Sequence, residues 1–262
     1  MNIIINGDDL GYSGKENAAI FSYLDKRYIT SSTLMVNAPG FDEAVQGILL
    51  RQTNKKVSFG VHLNLTEFKP LTQSDIWQET NLFTYPLPKS ASYFDGFSSK
   101  RGRALGRKGR VLRHACLKEW EEQISKVLDN GITISHIDSH HHIHMLPFLF
   151  PILPVLIKKF HIKNMRIIQN IFRAPIKPSI KSYIFIKGWI SYFRFLGLRT
   201  SDFFCGFEDF VVNTKKALPN NTTIELMTHP GKEWTKKESE ILESDWINNL
   251  SYPAKLISYN EI

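Results

Sequence analysis

Residues 134–145, ISHIDSHHHIHM, join a short apolar run to a dense cluster of histidines. The part HIDSHHHIHM, at 136–145, holds five of the nine histidines in the chain. If this part is extended, alternation places on one polar face the side chains of His136, Asp138, His140, His142 and His144. A buried polar face without partners costs free energy, whereas a divalent metal ion would use imidazole and carboxylate groups as ligands. The stretch therefore predicts a strand that ends at a metal site, rather than a tag or a basic surface run.

Further apolar runs, rich in β-branched residues, stop at Gly, Pro or Asp and are typical of strands. They lie at 2–6, 57–65, 164–168, 223–231 and 256–259. Helical periodicity occurs at 16–27 and 116–130, and a helix is expected after the first prolines of 146–160. Strands that alternate with helices along the whole chain predict an α/β fold with a mostly parallel sheet.

We expect a single domain over residues 1–262, because this length suits one barrel and no change of composition marks a boundary. The least regular part, at about 68–113, predicts a long basic insertion loop.

Cys116 and Cys205 are too few for a disulfide framework, which favours a reducing, cytoplasmic setting. The sequence shows no secretory signal and no apolar run long enough to span a bilayer. We therefore expect a cytoplasmic protein. Peripheral binding at the inner membrane face and assembly into a homodimer both remain open.

The net charge of +8 is unevenly spread along the chain. Residues 96–118 contain eight Lys or Arg and residues 139–200 contain ten, and neither stretch has an acidic residue. The simpler interpretation is a solvated basic face. The more specific one is a surface that binds acidic lipid headgroups, a phosphorylated substrate or nucleic acid. The second stretch also carries many aromatics, which suits either an anionic membrane surface or burial in the core. No motif supports nucleic-acid binding, so none is expected.

In α/β folds the functional residues gather at the carboxyl ends of the strands. Here those ends carry Asp8, Asp9, His62, Asn64, Asp138 to His144, Arg166, Glu225 and His229. Adjacent residues of a regular strand point to opposite faces, so Asp8 and Asp9 share a site only if the chain bends, which Gly7 and Gly11 would permit. Taken singly, the Asp pair could be a turn or a helix cap, Arg166 a surface charge, and THPG at 228–231 only a turn. We expect structural roles for His136 and His141.

Five motifs taken together resemble, in the same order, the blocks of the YdjC-like carbohydrate deacetylases, which include the chitooligosaccharide deacetylases. They are NGDDLGYSGKEN at 6–17, ITSSTLMVN at 29–37, GVHLNLTEFKPL at 60–71, HIDSHHHIHMLP at 136–147 and ELMTHPG at 225–231. The resemblance implies a single irregular, TIM-like (β/α) barrel with parallel strands. It also implies hydrolysis of an N-acetyl group from an amino sugar, which releases acetate.

The site residues implied by this resemblance are an Asp-His-His set that holds one divalent ion, Mg²⁺ or Zn²⁺. The ligands would be Asp9, His62 and His140. Asp8 would be the base that activates water, and His229 the acid that protonates the departing amine. Residues expected to support the site or bind substrate are Asn64, Asp138, His142, His144, Arg166 and Glu225.

The chain departs from the family pattern at Phe68, where many members have Gly, and in the basic stretch 100–113. Both features concern the substrate, and a lipid-linked or nucleotide-linked N-acetylhexosamine is expected in place of a free chitooligosaccharide. Two alternatives remain open: a metal-dependent phosphoesterase on a His-rich barrel, which would gather more than one metal, and a non-catalytic membrane-surface binding module.

Overall fold

A computed structural model of the 262-residue chain describes residues 1–74, 106–172, 179–213, 218–219 and 221–262. The strands are β1 (Asn2–Leu10), β2 (Ser31–Leu34), β3 (Ser58–Leu63), β4 (Ile137–Ser139), β5 (Phe203–Gly206), β6 (Thr223–Thr228) and β7 (Lys255–Leu256). The helices are α1 (Gly14–Asp25), α2 (Phe41–Leu49), α3 (Gly106–Asp129), α4 (Leu153–Phe160), α5 (Ile180–Phe195), α6 (Phe207–Asn213) and α7 (Lys236–Leu242).

The sheet is parallel throughout, in the order β4-β3-β2-β1-β6-β5, with β7 paired to the start of β1. This confirms the predicted α/β fold with parallel strands. The described strands form a half-barrel, and a closed TIM-like barrel is not seen among them. The segment 164–168, predicted as a strand, makes only isolated bridges, which join Met165 to β4 and Asn164 to Arg199.

The two faces of β1 explain where the core and the polar interior lie. Ile3 and Ile5 point into the main apolar core, while Ile4 packs with Ile257 and Tyr259 in a small separate cluster. Side chains alternate along a strand, so the face of Ile4 also carries polar residues further along β1. Both faces of β1 are buried, as is usual for a strand of a parallel sheet.

The histidine run is not extended as predicted. Strand β4 ends at Ser139, and His140–Met145 form a 3₁₀ turn in which His141 and His142 have φ values of 52°. The predicted alternation of even-numbered residues therefore fails beyond Ser139. Because of this turn, the side chains of His140, His141 and His142 do not alternate between the two faces of a sheet.

The predicted insertion loop at 68–113 is only partly within the described residues. Its part at 75–105 lies outside them, and its last residues are helical, because α3 begins at Gly106. Every helix of the described residues is too short or too polar to cross a bilayer.

Candidate active site

A bend near the end of β1 brings two adjacent carboxylates to the same cleft. The register of β1 against β2 shifts between Gly7 and Leu10, and Asp9 has a φ of 66° in the left-handed region. Aspartate is one of the few residues with a side chain that visits this region readily. Both Asp8 and Asp9 consequently line the cleft. The bend expected from the sequence is therefore present: Asp9 and Gly11, with a φ of 66° and 89°, adopt the left-handed conformation, whereas Gly7 does not.

Asp9, His62 and His140 form a cluster suited to a metal ion. Their candidate ligand atoms all lie within 4.8 Å of one another. Asp9 Oδ1 is 3.3 Å from Nε2 of His62 and 3.0 Å from Nδ1 of His140. This oxygen is buried, yet it accepts no well-aligned hydrogen bond from the described residues. Burial raises the pKa of Asp9, but the contacts with His140 and His62 outweigh it and hold the pKa well below its usual value.

Asp138 sets the orientation of the His62 ring. Nδ1 of His62 donates to Asp138 Oδ1 at 2.7 Å, and Thr33 donates to the other carboxylate oxygen at 3.1 Å. The remaining ring nitrogen of His62 is thereby directed at Asp9. Burial lowers the pKa of His62, but the charge of Asp138 and the contact with Asp9 outweigh burial and raise the pKa to about 10. A carboxylate behind a histidine is the usual partner of a metal-binding imidazole.

Arg166 joins three carboxylates behind the cleft, which excludes its interpretation as a surface charge. Its guanidinium is fully buried and lies 2.7 Å from oxygens of Asp8, Asp138 and Glu225. The hydroxyl of Tyr259 donates to Glu225 at 2.5 Å. Burial raises the pKa of Glu225 to about 7. This network holds the carboxylate of Asp8 from behind the cleft. Asp8 also lines the cleft, so it can be reached from there.

The cleft has a volume of about 370 Å³. It is lined by Asp8, Asp9, Tyr12, His62, Glu67, His140, His141, His142, Met227, His229, Lys232 and Trp234. His229 follows β6, and its ring centroid is 5.0 Å from that of Trp234. Burial lowers the pKa of His229, whereas the charges of Asp8 and Asp9 act in the opposite direction.

Asn64 and His144, both predicted to support the site, do not line the cleft and instead contact backbone groups of nearby segments. Asn64 Oδ1 accepts from the N–H groups of Thr66 and Glu67 at 2.9 and 3.2 Å, so Asn64 shapes the turn that presents Glu67. His144 contacts Ser139 and the carbonyl oxygen of Arg166. His142 does line the cleft and packs edge-on against Phe204.

Of the two histidines expected to be structural, His136 is buried and stacks on Tyr259, with ring centroids 3.7 Å apart. His141 instead lines the cleft, and its Nε2 is 3.9 Å from Glu67. Glu67, His140 and His141 form a second candidate ligand group that shares His140 with the first.

Sequence reasoning missed Tyr12, Glu67, Lys232 and Trp234. The first two lie inside the quoted motifs, and Lys232 directly follows THPG, so proximity to a motif was the available signal. Lys232 Nζ is 3.4 Å from Asp9 Oδ2 and 3.1 Å from the centroid of the Tyr12 ring. Nothing in the local sequence distinguishes Trp234 from other aromatic residues.

The fold and the site together define an α/β half-barrel with a buried Asp-His-His group at the carboxyl ends of its strands. A family model described as YdjC-like protein matches residues 2–252, and the chain belongs to this family.

Relatives in the family include proteins named carbohydrate deacetylase. One from Brevibacillus brevis is 27% identical over 230 residues, which is 88% of this chain and 81% of the relative. One from Geobacillus stearothermophilus is 30% identical over 177 residues, 67% of this chain and 58% of the relative, so that match spans less than two thirds of the relative. A solved structure from Enterococcus faecalis V583, of a protein proposed to cleave cellobiose phosphate, has the same fold. It matches with a TM-score of 0.68 and 20% identity over 99% of this chain and 98% of that one.

Proposed function

We propose that the protein is a metal-dependent carbohydrate N-deacetylase, which hydrolyses the N-acetyl group of an amino sugar to acetate and a free amine. The observation that carries this proposal is the Asp9-His62-His140 group beside an Asp8 carboxylate that Arg166 holds in the wall of the cleft. The name shared by the relatives supports it and favours neither a phosphoesterase nor a non-catalytic membrane-surface binding module.

Asp9, His62 and His140 would hold one divalent ion, Mg²⁺ or Zn²⁺. Two imidazoles and one carboxylate suit a borderline divalent cation and leave coordination positions open. The buried Asp9 oxygen without a well-aligned donor, and the Asp138 carboxylate behind His62, both fit this role. When bound, such an ion supplies Lewis acidity, which acidifies water and polarises an amide carbonyl.

Asp8 acts as the general base in this proposal. Its carboxylate accepts the proton of the attacking water, while the two hydrogen bonds from Arg166 keep both oxygens in place. The oxygen of the water then bonds to the acetyl carbon, and the bond from that carbon to the sugar nitrogen breaks.

His229 acts as the general acid, because an amine is a poor leaving group unless it is protonated. Burial lowers the pKa of His229, whereas the nearby charges of Asp8 and Asp9 act in the opposite direction and favour the protonated ring that a general acid needs. Glu238 positions this residue: its Oε1 accepts from the backbone N–H of His229 at 3.0 Å and from the hydroxyl of Thr228.

The acceptor that we propose is a lipid-linked or nucleotide-linked N-acetylhexosamine, handled in the cytoplasm or at the inner face of the membrane, and a free chitooligosaccharide is the comparison substrate. Phe68 supports a specialised acceptor, because its ring packs edge-on against Tyr12 at the cleft, with centroids 5.0 Å apart. The basic residues of 100–113 would meet the phosphates of either carrier.

The test is acetate release from free diacetylchitobiose, from a nucleotide-linked and from a lipid-linked N-acetylhexosamine. Each is measured with Mg²⁺, with Zn²⁺ and with a chelator. Asp8→Asn should lower kcat by about 10²-fold to 10⁴-fold, whereas the matched control Asp202→Asn, at an exposed pair with Arg194, should not. Absence of acetate from every substrate, with metal measurably bound, would overturn the proposal.

A further inference from the structure

Helix α5 (Ile180–Phe195) is apolar on two opposite faces. Its inner face buries Ile186, Trp189 and Phe193 in the core. Its outer face exposes large apolar side chains: Ile180 is 81% exposed, Ile184 65% and Phe195 85%. An isolated exposed leucine is ordinary, but an apolar face that recurs with helical spacing indicates a surface that binds something.

The charges beside this outer face are basic. Lys181 and Lys187 are exposed on it, and Lys187 Nζ lies 5.6 Å from the centroid of the Tyr183 ring. No acidic residue occurs in the sequence from 139 to 200. Arg194 forms an ion pair with Asp202, at 3.1 Å, so among the described residues of this face Lys181 and Lys187 provide the net positive charge.

This combination favours an anionic lipid surface over a second copy of the chain. Apolar and aromatic side chains interleaved with lysines are typical of helices that lie in the interfacial region of a bilayer. In a two-fold dimer through the same face, the lysines of one copy would approach those of the other, and like charges across an interface are unfavourable.

The helix is also close to the wall of the cleft. The indole N–H of Trp189, on the inner face of α5, donates to the carbonyl oxygen of Met145 at 3.3 Å. Met145 closes the 3₁₀ turn that begins at His140 and contains His142. A surface that binds the outer face of α5 is therefore separated from the histidine turn by a single helix.

We propose that the outer face of α5 docks the protein on anionic phospholipid bilayers, with Ile180, Ile184 and Phe195 inserted among the headgroups and Lys181 and Lys187 on the lipid phosphates. This site is distinct from the catalytic cleft. Its existence does not depend on the proposed deacetylation, but it would bring a lipid-linked amino sugar to the enzyme.

The test is flotation of the full chain with vesicles of phosphatidylcholine, with and without phosphatidylglycerol. Binding should require the anionic lipid and should weaken as sodium chloride is raised. Lys181→Gln and Lys187→Gln should each lower the partition coefficient about fivefold. The triple variant Ile180→Ser, Ile184→Ser, Phe195→Ser should lower it by at least about tenfold.

The matched control is Leu50→Ser with Lys55→Gln and Lys56→Gln, which makes the same kinds of change at exposed positions near the end of α2. It should bind as the unmodified chain does. Ile180→Glu is the second probe if the triple variant is less stable, because an acidic residue at a helix N-terminus favours the helix while repelling anionic lipid.

Equal binding to neutral and anionic vesicles, no binding to either, or α5 variants that bind like the control would each overturn the proposal. So would a dimer, seen by light scattering, that the Ile184→Ser change dissociates, because the face would then serve a second copy. Acetate release from a water-soluble substrate should be unchanged in the α5 variants, so failure of docking and failure of catalysis are distinguished.

Discussion

The guanidinium of Arg166 donates two hydrogen bonds, each 2.7 Å long, to the carboxylate of Asp8, although 158 residues separate the two in sequence. The same buried group lies 2.7 Å from oxygens of Asp138 and Glu225. One fully buried cation thus offsets much of the cost of burying three carboxylates, and it sets the orientation of the proposed base.

Removal of this cation should be strongly destabilising. Arg166→Met leaves the buried carboxylates without their partner, and we expect the free energy of unfolding in urea to fall by about 3–5 kcal/mol. Arg166→Lys keeps a charge but loses the two-pronged contact with Asp8, so it should be milder in stability and still lower kcat. The control is Arg194→Met, which breaks the exposed pair with Asp202 and should cost about 1 kcal/mol or less. Equal losses for Met at 166 and at 194 would contradict the assigned role.

Metal stoichiometry should distinguish the two ligand groups that share His140. We expect one ion per chain by elemental analysis after dialysis. The Asp9 group is the more buried of the two, and the hydrogen bond with Asp138 holds its His62 ring in place. Asp9→Asn should abolish binding, whereas Glu67→Gln should retain the ion. Metal added to the ion-free protein should raise Tm by mass action. Two ions per chain, one of them lost in Glu67→Gln, would instead indicate a two-metal site.

Glu238 should make stability depend on pH in an unusual direction. Burial raises its pKa from 4.5 to about 7, so the folded protein binds this proton more tightly than the unfolded chain does. The stabilisation of the folded state by the protonated Glu238 carboxyl is therefore complete below about pH 4.5 and is lost as the pH rises through about 7. Between pH 5 and 8, the stability of Glu238→Gln relative to the unmodified chain should therefore rise, by about 3 kcal/mol at most. Glutamine keeps the acceptor oxygen for Thr228 and for the N–H of His229.

The measurement for Glu238 is urea unfolding at the two pH values. Glu240→Gln, at an exposed position of the same helix α7, is the control and should show no such difference between them. A Glu238→Gln difference that is the same at both pH values would show that the carboxyl does not titrate in this range.

Trp234 should contribute to the binding of a sugar ring. It is 72% exposed, lines the cleft and packs against His229. Trp234→Ala should raise KM about fivefold to tenfold on an oligosaccharide, which corresponds to about 1–1.4 kcal/mol of lost stacking, with a smaller change in kcat. Trp234→Phe keeps an aromatic face and should recover most of the affinity. A fall in kcat at constant KM would assign Trp234 to the support of His229 and not to the substrate.

Much of the fold and the site could be predicted from local sequence. The run at 2–6 forms the first part of β1, and the runs at 57–65 and 223–231 contain β3 and β6, because a buried parallel strand needs a continuous apolar segment. The motif resemblance led to Asp9, His62 and His140, which the structure places together. Strands β2 and β5 and helices α2, α5, α6 and α7 were not predicted.

Errors arose where a residue's conformation depends on partners distant in sequence. Alternation along 136–145 was the natural expectation for an isolated polar strand, but the chain turns after Ser139. The segment 164–168 has the composition of a strand and makes only single bridges to its neighbours. Arg166, within it, could not be distinguished by its sequence from a surface charge.

The sequence by itself therefore determined the chemical groups and the strand ends that carry them, since apolar periodicity and turn residues act over a few positions. Only the tertiary structure decided which of these groups meet. The register shift of β1 against β2 at Asp9 and the guanidinium shared by Asp8, Asp138 and Glu225 both depend on contacts between segments far apart in the chain. The free energy of such contacts comes from shared burial, which no local pattern records.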